Sequence, residues 1–333
     1  MVILSWNGRK YLEQFMPSVM QHTTSDLCEI IVVDNLSSDD SIAFLQQHYP
    51  TVRIIQNQRN GGYAGGYNDA LKLVDTEYYV LLNQDIEVTE GWVEKVIAEM
   101  DQDASIAAAQ PKIRAYNSKD EFEYAGACGG YLDRFGYPFC RGRVFEVLEK
   151  DNGQYDTVAD IFWASGACLF VRRSAFWNAG GLDEDFFAHQ EEIDLCWRMK
   201  NQGQRIICVP QSLVYHVGGG SLGYGSPFKT YLNFRNSLFM LFKNLPAWQV
   251  IWKISFRIQL DNIAAIKFLF GGGGFKAYWA VVRSQFAFLA AVPSLIRKRK
   301  AFKRTMDAPL FPKSIIYNFF LRGKKTYSEL LQD

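Results

Sequence analysis

The chain has 333 residues, of which 48% are hydrophobic and 21% charged. That is enough apolar sequence to bury a sizeable core and to exclude a largely disordered protein. A formal net charge of +1 hides a division, with acids concentrated before about residue 200 and a basic run, Arg297-Lys298-Arg299-Lys300 with Lys303-Arg304, near the end; basic residues gathered in one run support nucleic-acid binding poorly.

The chain opens on Met1-Val2-Ile3-Leu4-Ser5, which reads directly as a strand and lacks the basic, apolar and cleavage segments of a secretory signal. A buried strand at the initiator methionine leads to the expectation that a few native residues are missing before it. Strands are expected at Val2 to Ser5, Glu29 to Asp34, Val52 to Gln56, Tyr78 to Asn83 and Ile106 to Gln110, separated by segments of helical periodicity. This βαβα order predicts an α/β fold with a mostly parallel sheet and helices on both faces, and functional residues beyond the carboxyl ends of the strands. Those ends read Trp6-Asn7-Gly8, Asp34-Asn35, Asn57 to Gly62 and Asn83-Gln84-Asp85, all polar or glycine-rich. From about residue 111 to 160, glycine and aromatic residues suggest irregular hairpins. Regularity returns with a strand at Gly166 to Val171, helices at Arg173 to Asn178 and Glu191 to Asn201, and strands at Arg205 to Val209 and Leu213 to Tyr215. The division expected is an α/β domain over 1–225 and a helical region over 226–333.

Beyond Ser226, the runs Phe228 to Phe242, Trp248 to Phe270 and Phe275 to Ile296 are aromatic-rich but interrupted by charge, and none supplies eighteen uncharged apolar residues. A spanning helix is therefore not expected. Amphipathic helices lying in a headgroup layer fit the pattern, with Lys253, Arg257 and Lys267 toward water, Trp248, Trp252 and Phe256 toward lipid, and the basic run attracted to anionic lipids. The competing reading packs these helices on the body. Six cysteines without a CxxC pair, several inside apolar runs, fit free thiols in a reducing cytosol.

Asp85 follows an apolar strand, so its carboxylate emerges at the sheet rim beside Asn83. A strand-end acid with a neutral amide oxygen suits a hard cation that leaves positions for phosphate oxygens, although Asn and Asp also end strands as simple turns. Asp34 ends an Ile-Ile-Val-Val run, where nucleotide-binding sheets place an acid for base or sugar. The glycines of Asn60-Gly61-Gly62-Tyr63-Ala64-Gly65-Gly66-Tyr67-Asn68 allow close backbone approach, but the segment is neither GxGxxG nor a P-loop. Downstream, the acids of Asp183-Glu184-Asp185 and Glu191-Glu192-Ile193-Asp194 are denser than helix-dipole stabilisation requires, and crowded carboxylates raise each other's pKa, which favours a general base. Tyr215-His216-Val217 leaves a strand into Gly218-Gly219-Gly220-Ser221, placing an imidazole at a flexible loop where it can complete a metal site.

In this order, the segments from Val2 to Gly8, Val33 to Asp39, Asn60 to Gly66, Leu82 to Asp85, Ser165 to Cys168, Gly181 to Phe187, Glu191 to Arg198 and Tyr215-His216 resemble family 2 glycosyltransferases with a GT-A fold, particularly the rhamnosyltransferase-like bacterial branch. The resemblance implies that Trp6, Asn7, Asp34 and Asn35 contact the nucleotide. It places Gly62, Asn68, Asn83 and Gln84 along the sugar-nucleotide cleft and makes Asp85 and His216 ligands of Mg²⁺ or Mn²⁺. It makes Glu192 the catalytic base, with Glu191 the alternative. Two departures are Asn83 in place of the first Asp of the family's DxD motif and Glu for Asp at 192. The activity implied is an inverting transfer from a nucleoside-diphosphate sugar to a glycan or polyprenyl-linked glycan at the cytoplasmic face of the membrane, in polysaccharide synthesis. An oxidoreductase is disfavoured by the missing GxGxxG, and Asn83 keeps open a scaffold that has lost catalysis.

Overall fold

A computed structural model describes residues 1–24, 26–218 and 226–332. The first half runs β1 (Val2–Ser5), α1 (Arg9–His22), β2 (Ile31–Asp34), α2 (Ser41–His48), β3 (Arg53–Gln56), α3 (Gly62–Leu71), β4 (Tyr78–Asn83), β5 (Ile86–Val88), α4 (Trp92–Gln102) and β6 (Ile106–Ala115). The strands are short apolar runs because helices cover both faces of the sheet. Val33 and Leu81 enter the core on one face, whereas their neighbours Val32 and Leu82 enter the core on the other, as a period of two requires.

The middle of the chain builds a small antiparallel sheet, β7 (Gly130–Leu132), β8 (Pro138–Cys140), β9 (Arg143–Val144) and β10 (Val147–Leu148), which gives the expected hairpins their form. The main sheet then completes with β11 (Ala159–Asp160), β12 (Cys168–Arg172), and, after α5 (Arg173–Asn178) and α6 (Glu191–Asn201), β13 (Arg205–His216). Its order is β11-β13-β6-β12-β4-β1-β2-β3, with β5 on β13. β3-β2-β1-β4 are parallel, as is β6 with β13, but β12 lies antiparallel between β4 and β6. The sheet is therefore mixed. β13 is one strand rather than two, with a register shift between Val209 and Leu213 that absorbs Pro210.

Three long helices follow: α7 (Pro227–Asn244), α8 (Ala247–Phe270) and α9 (Gly274–Ala301); α10 (Tyr327–Leu331) lies near the end. α7 packs against α6 and along α9, and Leu238, Met240 and Leu241 join the main core. The helical region is thus built into the body.

Two expectations for this region are corrected. Lys253 and Arg257 do not face water: they are 7% and 4% exposed, and Arg257 pairs with Asp261 at 2.9 Å while its guanidinium stacks 3.5 Å from the Tyr137 ring of the β7–β8 turn. Lys267 is exposed, as are Trp248, Trp252 and Phe256. Half of the basic run is engaged internally. Lys298 pairs with Asp183 and Asp185, Arg299 donates to the carbonyls of Phe242 and Leu245 at 2.6 Å, and Arg304 donates to Asn244. The last turn of α7 leaves such carbonyls without helical partners, and cations there are also favoured by the negative end of its dipole. Finally, α9 is long and apolar enough to cross a membrane by length and composition. All six cysteines are buried free thiols.

Candidate active site

Leu81 and Leu82 are fully buried, so β4 delivers Asn83 to the carboxyl edge of the sheet. The pairing of β13 with β5 brings His216 opposite Ile86, and Val217 donates its N–H to the Asp85 carbonyl at 3.1 Å. Asp85 and His216 are both buried, with Asp85 Oδ1 3.2 Å from His216 Nε2 and the Asn83 amide 3.4 Å from the same nitrogen. On the other side of the ring, Glu123 Oε1 lies 3.3 Å from Nδ1. Burial disfavours a charged imidazole, but Asp85 and Glu123 outweigh it and push His216 up to about 10. Burial likewise opposes the Asp85 carboxylate, and the facing His216 more than compensates, holding it below the ordinary range.

Among the described residues, no group of three or more His, Cys, Asp or Glu side chains is arranged to hold a metal by itself. Two converging donors, one carboxylate and one imidazole, fit a cation that takes its remaining ligands from water and phosphate oxygens, as Mg²⁺ characteristically does. A carboxylate on the far ring nitrogen is the partner that fixes the tautomer of a ligating histidine.

The acid pair sits at the start of α6. The chain reaches it through three left-handed non-glycine residues, Phe187 (φ 63°), His189 (φ 71°) and Gln190 (φ 70°), a conformation that persists only when the surroundings impose it. Gly62 is one such constraint: its φ is 64°, and a Cβ there would stand 2.3 Å from the Phe187 carbonyl, which also accepts the Tyr63 N–H at 2.8 Å. Glu192 lies beside Gly166, whose carbonyl accepts the Tyr63 hydroxyl at 2.6 Å. One oxygen of Glu191 and one of Glu192 are buried without a partner. Burial raises Glu192 to about 7 despite opposing backbone groups at Ile193 and Gly166. Burial and then the Glu192 charge hold Glu191 well above the carboxylate range. Ala167, next to Gly166, accepts the Asn83 N–H at 2.9 Å, so the acid pair and the Asp85–His216 pair share one edge of the sheet.

The ends of β1 and β2 form the third part. Asn7 takes a left-handed φ of 47°, accepts the Ser38 N–H at 2.8 Å and donates its own N–H to Ser37 Oγ at 2.9 Å. Asp34 accepts the Ser37 N–H at 3.2 Å, and the Trp6 ring is 46% exposed beside this turn. Gln84 reaches back to Gly8, with its Oε1 buried and unpartnered.

Other expected site residues act as braces. The Asn35 amide donates to Asn60 and Gly62 and accepts from Asn57, at 3.0 to 3.1 Å. Both ends of the Asn68 amide are taken by Leu182, at 2.7 and 3.0 Å, so its polar atoms hold a loop and do not face the cleft. The acid density has a structural cause: Asp183 and Asp194 pair with Lys243 at 2.6 and 2.7 Å, Asp194 also with Arg198, Glu184 with Arg59 and Asp185 with Lys298. Asp194 is therefore engaged by two cations. The loop expected after His216, Gly219 to Ser221, lies outside the described residues. Glu123 escaped the sequence reading because it lies in the irregular segment with no motif around it, and Tyr63 because its hydroxyl works through a distant carbonyl.

The fold is that of the GT-A glycosyltransferases, and solved structures share it. GalNAc-T7 with UDP, GalNAc and Mn²⁺ superposes with a TM-score of 0.60 at 14% identity, covering 90% of this chain and 57% of that one. The 1–349 fragment of S. aureus TarS in complex with UDP-GlcNAc gives 0.54 at 15%, covering 89% and 82%. The family model for glycosyl transferase family 2 matches residues 1–180, and the chain belongs to that family. It is similar to the N-acetylglucosaminyl-diphospho-decaprenol L-rhamnosyltransferase of Mycobacterium tuberculosis, at 24% identity over 80% of this chain and 90% of that protein. It also resembles the rhamnosyltransferase WbbL of Escherichia coli, at 26% identity over 65% and 81%.

Proposed function

We propose that this glycosyltransferase is inverting and divalent-metal-dependent, and moves a hexose or deoxyhexose from a nucleoside-diphosphate sugar to a hydroxyl of a lipid-linked glycan at the cytoplasmic membrane face. The observation that carries this reading is the half-buried Glu192 carboxylate, one oxygen of which is buried without a partner, on the same sheet edge as the Asp85–His216 pair. Asp85 and His216 would hold Mn²⁺ or Mg²⁺, and a cation there supplies charge neutralisation for a leaving diphosphate. Trp6, Asn7 and Asp34 bind and orient the nucleotide, and Gln84 lines the floor between them and the cation site. Glu192 takes the acceptor hydroxyl's proton as that oxygen attacks the anomeric carbon from the face opposite the diphosphate. Burial suits it to this task, because a base with a pKa near the working pH combines availability with driving force. Glu191, whose carboxyl burial raises well above the ordinary range, sits beside it as a second group facing the acceptor.

The acceptor class rests on the printed name of the mycobacterial relative and on the helical region. α8 exposes Trp248 (73%), Ile251 (81%) and Phe270 (85%), and α9 exposes Phe275, Trp279 and Phe286. Apolar side chains aligned in this way fit insertion into a lipid surface. The exposed cations Lys267, Arg297, Lys300 and Lys303 remain available to anionic headgroups. The test is a screen of nucleotide sugars for transfer to polyprenyl-diphosphate-linked N-acetylated sugars with Mn²⁺ present. Transfer that disappears in Asp85→Ala supports the reading, and metal-independent transfer that survives Asp85→Ala overturns it.

A further inference from the structure

The helical region grips the loop that leads into the acid pair. Asn236, in the middle of α7, is fully buried, and its side-chain nitrogen lies 3.1, 2.9 and 2.7 Å from the carbonyls of Phe186, Ala188 and His189. Its oxygen accepts from Arg235 Nε and Nη2 at 2.9 and 2.8 Å, and the same Nη2 donates to the carbonyls of Asp185 and Phe186 at 2.7 and 3.0 Å. Gln190 returns the contact, donating from Nε2 to the Asn233 carbonyl at 3.1 Å.

The Phe186 carbonyl also accepts the Ala188 N–H at 2.7 Å, whereas the carbonyls of Ala188 and His189 lie in the stretch of left-handed residues outside any helix or strand. A buried carbonyl needs a donor. An asparagine amide can share two N–H bonds among three of them; alanine cannot, and aspartate offers only acceptors. The residue after Gln190 is Glu191, so the conformation fixed here sets where the first turn of α6 begins. From the opposite side, Gly62 and the Tyr63 N–H press on Phe187. The loop is therefore gripped between α3 and α7.

Resting on the reading of Glu192 as the base, we propose that Asn236 is a positioning residue, assisted by Arg235: it locks the 186–190 loop and thereby aims Glu192 at the acceptor hydroxyl. It touches neither substrate nor cation. The C-terminal helices, which lie beyond the 1–180 family match, are on this reading part of the catalytic apparatus as well as a docking surface.

The experiment uses the full chain with Asn236→Ala, Asn236→Asp and Arg235→Ala, each checked for folding by circular dichroism. Misplacing a reacting group by about 1 Å costs on the order of 10²-fold, so kcat should fall by about that factor in the Asn236 variants and by less in Arg235→Ala. The KM for the nucleotide sugar should hold, because Asn7 and Asp34 lie outside the grip. Hydrogen exchange of the 186–190 amides should quicken. The acid limb of kcat should move down as water reaches Glu192, whose titratable neighbours are Glu191, Tyr63 and Cys196.

A role confined to stability would lower the active fraction and leave the limb where it is; that result, or wild-type kcat with unchanged exchange, overturns the proposal. Should the Asn236 variants fail to fold, Arg235→Ala decides by the same readouts. Glu192→Gln is run beside them. Normal turnover in Glu192→Gln sinks the assignment of the base whatever the Asn236 variants do. An inactive Glu192→Gln with unaltered Asn236 variants sinks the positioning role alone.

Discussion

Glu192→Gln is the substitution with the most to say about this site. The carboxylate titrates near pH 7 because burial disfavours its charge. As a base it must be deprotonated, so kcat should fall as pH drops through about 7, to roughly a tenth of its plateau at pH 6. Burial and the neighbouring Glu192 charge raise Glu191 well above the carboxylate range, which makes it the less available base. Glu191→Gln should therefore leave the limb in place, whereas Glu192→Gln should abolish it together with roughly 10²- to 10⁴-fold of the rate. Stability moves the opposite way. A carboxyl whose folded pKa exceeds its unfolded one holds its proton longer in the native state, so stability is lost as pH rises from about 4.5 to about 7. Removing the charge should accordingly stabilise the protein at pH 8, by at most about 3 kcal/mol. The assays are a pH profile of transfer and urea unfolding of wild type and variant at pH 5 and pH 8. A limb near pH 4.5, or a Glu192→Gln enzyme within fivefold of wild type, would refute the reasoning.

Glu123→Gln keeps the shape beside His216 Nδ1 but removes the charge that orients the ring, and Mn²⁺ affinity measured by calorimetry should fall about 10- to 100-fold. Lys243→Met leaves Asp183 and Asp194 short of a buried cation, and should cost on the order of 3 kcal/mol in chemical unfolding, since breaking a buried ion pair strands the remaining charge. Ile251→Asp combined with Phe270→Asp places charge on the most exposed apolar positions of α8; sedimentation with anionic vesicles should weaken at least tenfold by the transfer free energy of two large side chains, while turnover on a soluble acceptor analogue stays unchanged.

The strands and helices that were legible in the sequence are those whose local pattern determines them. β1, β4, α5 and α6 begin and end where the apolar run or helical period does, because burial on both faces leaves the strand interior no polar choice. What local pattern cannot convey is pairing. Nothing in Cys168–Arg172 distinguishes a strand entering antiparallel between β4 and β6 from one continuing the parallel series. Lys253 and Arg257 read as water-facing for a related reason: Arg257 and Asp261, four apart, look like an exposed helical pair until the Tyr137 ring that covers them is known. In the site, the strand-end positions Asn7, Asp34 and Asp85 were readable from their place after apolar runs. The acids from Asp183 to Asp194 were not separable by sequence into those that pair with Lys243 and Lys298 and those left unpartnered, since their partners lie on α7 and α9. Asn236 was hidden by the same distance along the chain.

On the proposed reading, a base on one side of the sugar and a departing diphosphate on the other allow a single displacement. The direct test is proton NMR of the first product formed by the wild-type enzyme from a donor of known anomeric configuration. Inversion of the anomeric centre is the predicted result. A product that keeps the donor's configuration would contradict it, because retention needs chemistry that Glu192 acting on an acceptor hydroxyl does not supply.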